Sequence, residues 1–255
     1  FATVRRIILY FMKNTVIIIP TRLGAKRFPN KPLVKINNIP TIIHVMNRAI
    51  ESNVGEVFVA TPDNEIFDIV KKNGGQAILT KKNHPNGTSR IFEAFNKLEN
   101  DKLDFIINLQ GDLPLIRPDC LKKLSQLMNK NHCQMGTLAT FLKKEEVYNE
   151  NIVKVEVDEM LEKDSFLLAK DFFRIKKDLK NEQLYHHLGV YAFTKDALTQ
   201  YVKFPRSKLE IERNLEQMRV MENSMSINVG LSHSMPLSID TKDDLEKAKE
   251  EMKKS

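Results

Sequence analysis

Along the first half of the chain, short runs of aliphatic and β-branched residues alternate with segments whose apolar positions recur every three to four residues. That alternation predicts strands of a parallel sheet connected by covering helices. Residues 15–19 read as a strand buried on both faces, because the run is apolar without polar interruption. A helix is expected over 40–51, started by Pro40, with Ile42, Ile43, Val45, Met46, Ala49 and Ile50 facing inward. Next come a strand at 56–60, a helix at 64–73 capped by Asp63 and stopped at Gly74 and Gly75, and a strand at 76–79. A helix at 89–100, a very apolar strand at 105–109 and a helix at 118–129 continue the rhythm.

From about residue 135 the pattern changes. Shorter strand candidates at 135–141, 152–157 and 188–193 are separated by a charged, irregular stretch. Helices are expected at 209–218 and 241–253, the second preceded by a short strand ending at Asp240. The predicted fold is α/β and Rossmann-like: a mostly parallel central sheet with helices on both faces and a smaller inserted lobe at about 135–220, in one domain over 13–255. Residues 1–12 are expected to be an upstream or non-native extension, since strand signals begin at Thr15 just after Met12.

Composition narrows the function. The 255 residues are 42% hydrophobic and 29% charged, ordinary for a soluble globular protein. A net charge of +7 raises nucleic acid as a partner, but the lysines are scattered along helices, aromatics are 7% and Trp is absent. No nucleic-acid partner is therefore expected. Cys120 and Cys133 form no Cys-x-x-Cys pair, so neither a disulfide framework nor a zinc site is indicated, and a reducing, cytoplasmic compartment fits. The apolar run at 7–12 is too short for a signal core, and no membrane span is expected.

Three stretches carry candidate chemistry. Directly after the first strand, PTRLGAKRFPNKPL places Arg22, Lys26, Arg27 and Lys31 where open α/β sheets bind ligands. Such cations suit phosphate oxygens, although a solvated basic loop is the plainer account, and neither a Walker loop nor a Rossmann fingerprint is present. NLQGDLPLI then puts Asp112 beyond the most hydrophobic strand, where it can hold a divalent metal or simply form a turn. Finally LSIDTKDDL puts Asp240 before the last helix, where Asp240 or Thr241 can serve as a cap.

Read together, these stretches resemble the bacterial cytidylyltransferases that make CMP-Kdo from 3-deoxy-manno-octulosonate, within the larger nucleotide-diphospho-sugar transferase family. Residues 27–33 are similar to the family's Arg-Leu-Pro-Gly-Lys-Pro-Leu loop, with Phe28 for Leu and Asn30 for Gly. Residues 84–90 look like its His-x-Ser-Gly-Thr-Glu-Arg segment, and 108–116 match Asn-x-Gln-Gly-Asp-Glu-Pro except that Leu113 replaces Glu. Residues 149–155 match Asn-Pro-Asn-x-Val-Lys-Val, and 187–191 match His-x-Gly-x-Tyr. Residues 209–219 follow its Leu-Glu-x-x-Glu-x-Leu-Glu-Gln-Leu-Arg helix with Arg213 in place of Glu, and 240–245 match Asp-Thr-x-x-Asp-Leu.

The resemblance implies transfer of CMP from CTP to the anomeric hydroxyl of the sugar, releasing pyrophosphate, in a magnesium-dependent cytoplasmic homodimer serving lipopolysaccharide biosynthesis. It implies that Asp112 and Asp240 hold Mg2+, that Arg22, Arg27 and Lys31 take the triphosphate, and that Arg22 and Lys31 act in catalysis with the two aspartates. Gly87, Thr88, Arg90 and Gln110 would surround the cytidine, and His187, Tyr191 and Glu210 the sugar. One segment departs from the family. Its Tyr-Phe-Ser-Arg is replaced by Phe-Leu-Leu-Ala-Lys-Asp at 166–171, with Lys170 nearest the Arg, which keeps an 8-amino octulosonate or a nonulosonate open as the sugar.

Overall fold

The computed structural model describes residues 14–24, 28–176 and 183–254. The expected extension at 1–12, Lys26 and Arg27 lie outside them. The described residues fall into two compact units, one made of those up to Lys122 together with those from Pro236 onward, and the other of those between Lys123 and Met235.

In the first unit, β1 (Thr15–Pro20) is buried along its whole length and pairs in parallel with two neighbours, β4 (Glu56–Thr61) and β6 (Phe105–Leu109). β5 (Gln76–Leu79) extends the ladder beside β4, also in parallel. A small antiparallel hairpin of β2 (Lys35–Ile36) and β3 (Ile39–Pro40) precedes α1 (Thr41–Glu51). Helix α1 buries Ile42, Ile43, Val45, Met46 and Ala49, but Ile50, which continues the line of Ile43 and Met46 into the last turn, is 50% exposed. Helix α2 (Asn64–Lys72) starts at Asp63, yet the Asp63 carboxylate caps nothing and accepts the Leu23 N–H at 2.8 Å. Helix α3 (Gly87–Asn96) begins two residues before the expected start, because the Asn86 side chain accepts the Ser89 N–H and so serves as its cap.

Helix α4 (Pro118–Asn131) carries the chain into the second unit. There β7 (Met135–Phe141), β8 (Lys154–Val157), β9 (Phe166–Phe173) and β10 (Gln183–Thr194) are followed by α5 (Lys195–Tyr201), α6 (Lys208–Arg213), α7 (Met218–Glu222) and β11 (Ile227–Leu231). The strands pair in the order β10, β7, β11, β9, β8, and β8 pairs again with β10, which closes the ring among the described residues. Only β7 with β11 is parallel. The sheet structure is thus mixed, and the expected parallel arrangement describes the first unit alone. The single helix expected at 209–218 is two, because Asn214 adopts the left-handed conformation (φ 53°) and ends α6.

The chain returns to the first unit with α8 (Lys242–Lys254). Residues 236–240 form no ladder, so Asp240 does not end a strand; Ile239 N–H donates instead to the Asp112 carbonyl at 2.9 Å. Among the described residues no helix is long and apolar enough to cross a membrane.

Candidate functional site

Strand β6 delivers the chain into a tight turn at Gly111 and Asp112. A side chain at Gly111 would press within 3.2 Å of the Pro20 carbonyl and of Thr21, so this turn passes the end of β1 at a distance only glycine allows without a shift. The Ile239 bond then ties Asp112 to the segment carrying Asp240. Capping of α8 falls to Thr241 and Asp244: Thr241 Oγ1 accepts Asp244 N–H, while Asp244 accepts the N–H groups of Asp240 and Thr241.

Between the two acids sits Lys31. Asn30 in the left-handed conformation turns the chain into a single 3-10 turn, Lys31–Leu33, anchored by buried Pro32. Phe28 and Ile36 on either side pack with Ile239, Leu245 and Ala248, so the same small core fixes the basic loop and the start of α8. Lys31 Nζ lies 2.9 Å from Asp112 and 3.3 Å from Asp240. Two carboxylates thus converge on one cationic centre, which here is an ammonium. Among the described residues no group of three or more His, Cys, Asp or Glu is gathered for a metal. The pair suits Mg2+, which is commonly held by one or two carboxylates and completed by phosphate and water oxygens.

The basic loop is pinned at its base by Thr21 N–H to the Ala60 carbonyl and Leu23 N–H to Asp63. Arg22 is exposed and makes no ion pair among the described residues. Arg90, expected at the nucleotide, is buried and gives its donors to Thr80 Oγ1 at 2.5 Å and to the Lys81 and Lys82 carbonyls. Burial, then the nearby Arg22 charge, lowers its pKa. One turn further, Glu93 accepts from the Lys81 N–H, from His84 Nε2 at 2.6 Å and from Lys97. Burial works to raise its pKa, but these donors, Lys97 foremost, bring it down to about 2. Arg90 and Glu93 together bolt residues 80–84 to α3. Asn108 brings the remaining expected residues into register: it donates to Thr88 Oγ1 and accepts from Gln110 Nε2, both at 3.3 Å. Gly87 faces Pro20 and Gln110, where an added side-chain carbon would meet them at 3.2 and 3.6 Å. Asn108 stands in a motif matched from the sequence but was given no role there, and Glu93 was not singled out. A lone polar residue in the apolar run of β6, and an acid four residues after Ser89, were the available signals.

In the second unit, His187 and Tyr191 lie four residues apart on β10, both buried, with their rings tilted and 5.3 Å apart, and Phe172 meets His187 edge-on at 5.2 Å. Thr137 gives its hydroxyl proton to the Leu188 and Val190 carbonyls, at 3.1 and 2.7 Å, so its oxygen accepts from His187 Nε2 at 3.0 Å. This fixes the tautomer as Nε2–H. Burial pushes the His187 pKa down to about 3. The ordinary value is 6.5, so between those limits the unfolded chain binds the extra proton and folding becomes less favourable as pH falls. Urea unfolding should show stability declining from about pH 6.5 towards pH 3, and His187→Gln should flatten part of that decline. An unchanged slope in the variant would show that His187 does not supply it.

Glu210 is 3% exposed, and Arg219 grips it with bonds of 2.6 and 2.7 Å, joined by Arg206 and the Ser207 N–H. Both carboxylate oxygens are engaged in holding α6 to α7. The Asn149 to Val155 motif is likewise closed on itself: the fully buried Lys154 ammonium donates to the Asn149 and Ile152 carbonyls at 2.8 and 3.0 Å. Lys170 is half-exposed and paired with Asp158 at 2.9 Å and Glu156 at 3.6 Å. Beside it Asp171 binds Arg213, so the residue that replaces the family's Glu in α6 answers the acid in β9.

Comparison with known proteins agrees with this arrangement. The family model described as Cytidylyltransferase matches residues 16–227. A 3-deoxy-manno-octulosonate cytidylyltransferase of Nitrobacter winogradskyi is 37% identical over 93% of both chains. One of the same name from Afipia carboxidovorans is 40% identical over 92% of this chain and 96% of its own. Among solved structures, a CMP:2-keto-3-deoxy-manno-octonic acid synthetase complexed with CTP aligns with a TM-score of 0.86 at 34% identity, covering 95% of this chain and 99% of that one. The chain belongs to the cytidylyltransferase family.

Proposed function

We propose that the protein transfers CMP from CTP to the anomeric hydroxyl of 3-deoxy-manno-octulosonate, releasing pyrophosphate. The observation that carries this reading is the likeness along nine-tenths of the chain to relatives named for that reaction. The convergence of Asp112 and Asp240 on one cation supports it. A new bond forms between the sugar oxygen and the α-phosphorus, the bond from the α-phosphorus to the oxygen bridging it to the β-phosphate breaks with its electron pair leaving on pyrophosphate, and the sugar hydroxyl's proton passes to solvent. Such transfers are accelerated mainly by positioning and by neutralising charge. Mg2+ held by Asp112 and Asp240 would supply charge neutralisation at the phosphates.

Arg22, Arg27 and Lys31 take the triphosphate, whereas Gly87, Thr88 and Gln110 line the cytidine, with Arg90 shaping the neighbouring loop. His187 and Tyr191 face the sugar, and Glu210 acts through Arg219 to hold their unit in shape. The four parallel strands of the first unit support a Rossmann-like reading of it, and the second unit is the sugar-binding and dimerisation lobe of a cytoplasmic homodimer in lipopolysaccharide biosynthesis. The test is pyrophosphate release from CTP, UTP, ATP and GTP, each crossed with 3-deoxy-manno-octulosonate, its 8-amino analogue and a nonulosonate. CTP with 3-deoxy-manno-octulosonate should be preferred. Preference for another sugar overturns the substrate, and no release from any pair overturns the reaction.

A further inference from the structure

We infer that Lys31 is a placeholder cation: in the nucleotide-free protein its ammonium fills the position between Asp112 and Asp240, and it yields that position only when CTP arrives with the metal. The inference rests on the reading that CTP binds at this site. Two carboxylates drawn to one point repel each other unless a cation stands between them. Lys31 supplies that cation at 2.9 and 3.3 Å, and its side chain is only 13% exposed. A lysine suits this double duty better than an arginine, because its charge is compact and sits on a flexible four-carbon stem. The backbone beneath is fixed by Asn30, by buried Pro32 and by the Leu33 and Val34 N–H bonds to the Asn30 and Lys31 carbonyls, so the stem can swing while its base stays.

A divalent ion entering alone must evict the ammonium from both acids and leave it without an anion. A triphosphate entering with the ion gives Lys31 new oxygens to pair. Metal and nucleotide therefore favour each other's binding, by the same factor in either order.

The probe is Mn2+, titrated by the spin resonance of the free ion, with its association with CTP in solution accounted for. The wild-type chain without nucleotide should bind Mn2+ weakly, and Lys31→Met and Lys31→Gln should each bind it about tenfold more tightly. Addition of CTP without sugar should tighten Mn2+ binding more in the wild type than in either variant. Variants that bind Mn2+ no more tightly than the wild type overturn the inference, as does equal tightening by CTP in all three. If neither variant folds, the wild type decides alone, since Mn2+ affinity that is the same with and without CTP is the overturning result. Failure of the wild type to bind CTP at all counts against the proposed reaction, whereas the nucleotide-free comparison still judges Lys31.

Discussion

Asp112→Asn and Asp240→Asn are each expected to lower turnover about a hundredfold or more while the fold survives. The substitution keeps the shape of the side chain and removes its charge, so it separates the demand for a carboxylate from the demand for a hydrogen-bond acceptor. The local backbone does not depend on either charge. Asp112 meets Ile239 through its carbonyl, and Asp240 meets Asp244 through its N–H. At Lys31 each substitution removes half of a partly exposed bridge, and such pairs contribute about 0–1 kcal/mol each. The melting temperature should accordingly move by only about a few degrees. Steady-state assays across a magnesium series give the decisive comparison. Near-normal turnover in either variant at limiting magnesium would remove that residue from the metal site.

Much of this site was legible because its chemistry is local in sequence. The strand-to-loop junctions at Pro20 and Leu109 follow from apolar runs that end abruptly, and each delivers its charged residue within a few positions. Other features were hidden because their partners are distant along the chain. Asp63 looks like the cap of α2, yet it reaches Leu23, forty residues away. Asp240 looks like the end of a strand, but an Ile239 bond to Asp112 holds it with no ladder at all. Strand β9 escaped notice because Lys170 and Asp171 interrupt its apolar pattern. Their charges are answered sideways by Asp158, Glu156 and Arg213, which no periodicity reveals.

The same contrast applies to motif residues. Lys154 and Glu210 stand out in the sequence as charged members of matched segments, and in the structure both are turned inward onto their own surroundings. Spacing shows that such a residue is in place. It does not show whether the charge faces a ligand or the protein's own carbonyls and guanidinium groups, because that depends on burial, which arises only when the strands close around it. Departures from a motif are similarly ambiguous. Ser89 stands where the resembled segment has Glu, and the carboxylate that meets His84 comes from Glu93, one turn later on the same helix face.

Arg219→Met should cost about 3–5 kcal/mol of stability at neutral pH, the usual consequence of leaving one member of a buried ion pair without the other. Arg219 gives Glu210 two short charge-assisted bonds and lies 4.8 Å over the Tyr201 ring, so both its charge and its packing are lost together. Arg206, which is 54% exposed, and the Ser207 N–H remain, and neither replaces a buried guanidinium. Burial works to raise the Glu210 pKa, and Arg219 leads the bonds that hold it below the ordinary 4.5. A depressed acid contributes stability that is present above the unfolded pKa and is lost as pH falls through the folded one. With Arg219 gone, burial governs, Glu210 takes up a proton at higher pH, and the penalty for an unpaired charge fades as the solution is acidified. Urea unfolding at pH 7 and at pH 4 should therefore show a wide gap between wild type and variant that narrows in acid. Glu210→Leu combined with Arg219→Met should recover much of the loss, since an apolar pair needs no partner charge. A loss below about 1 kcal/mol at pH 7, or a gap that widens in acid, would mean that the Glu210–Arg219 pair does not hold the two short helices together.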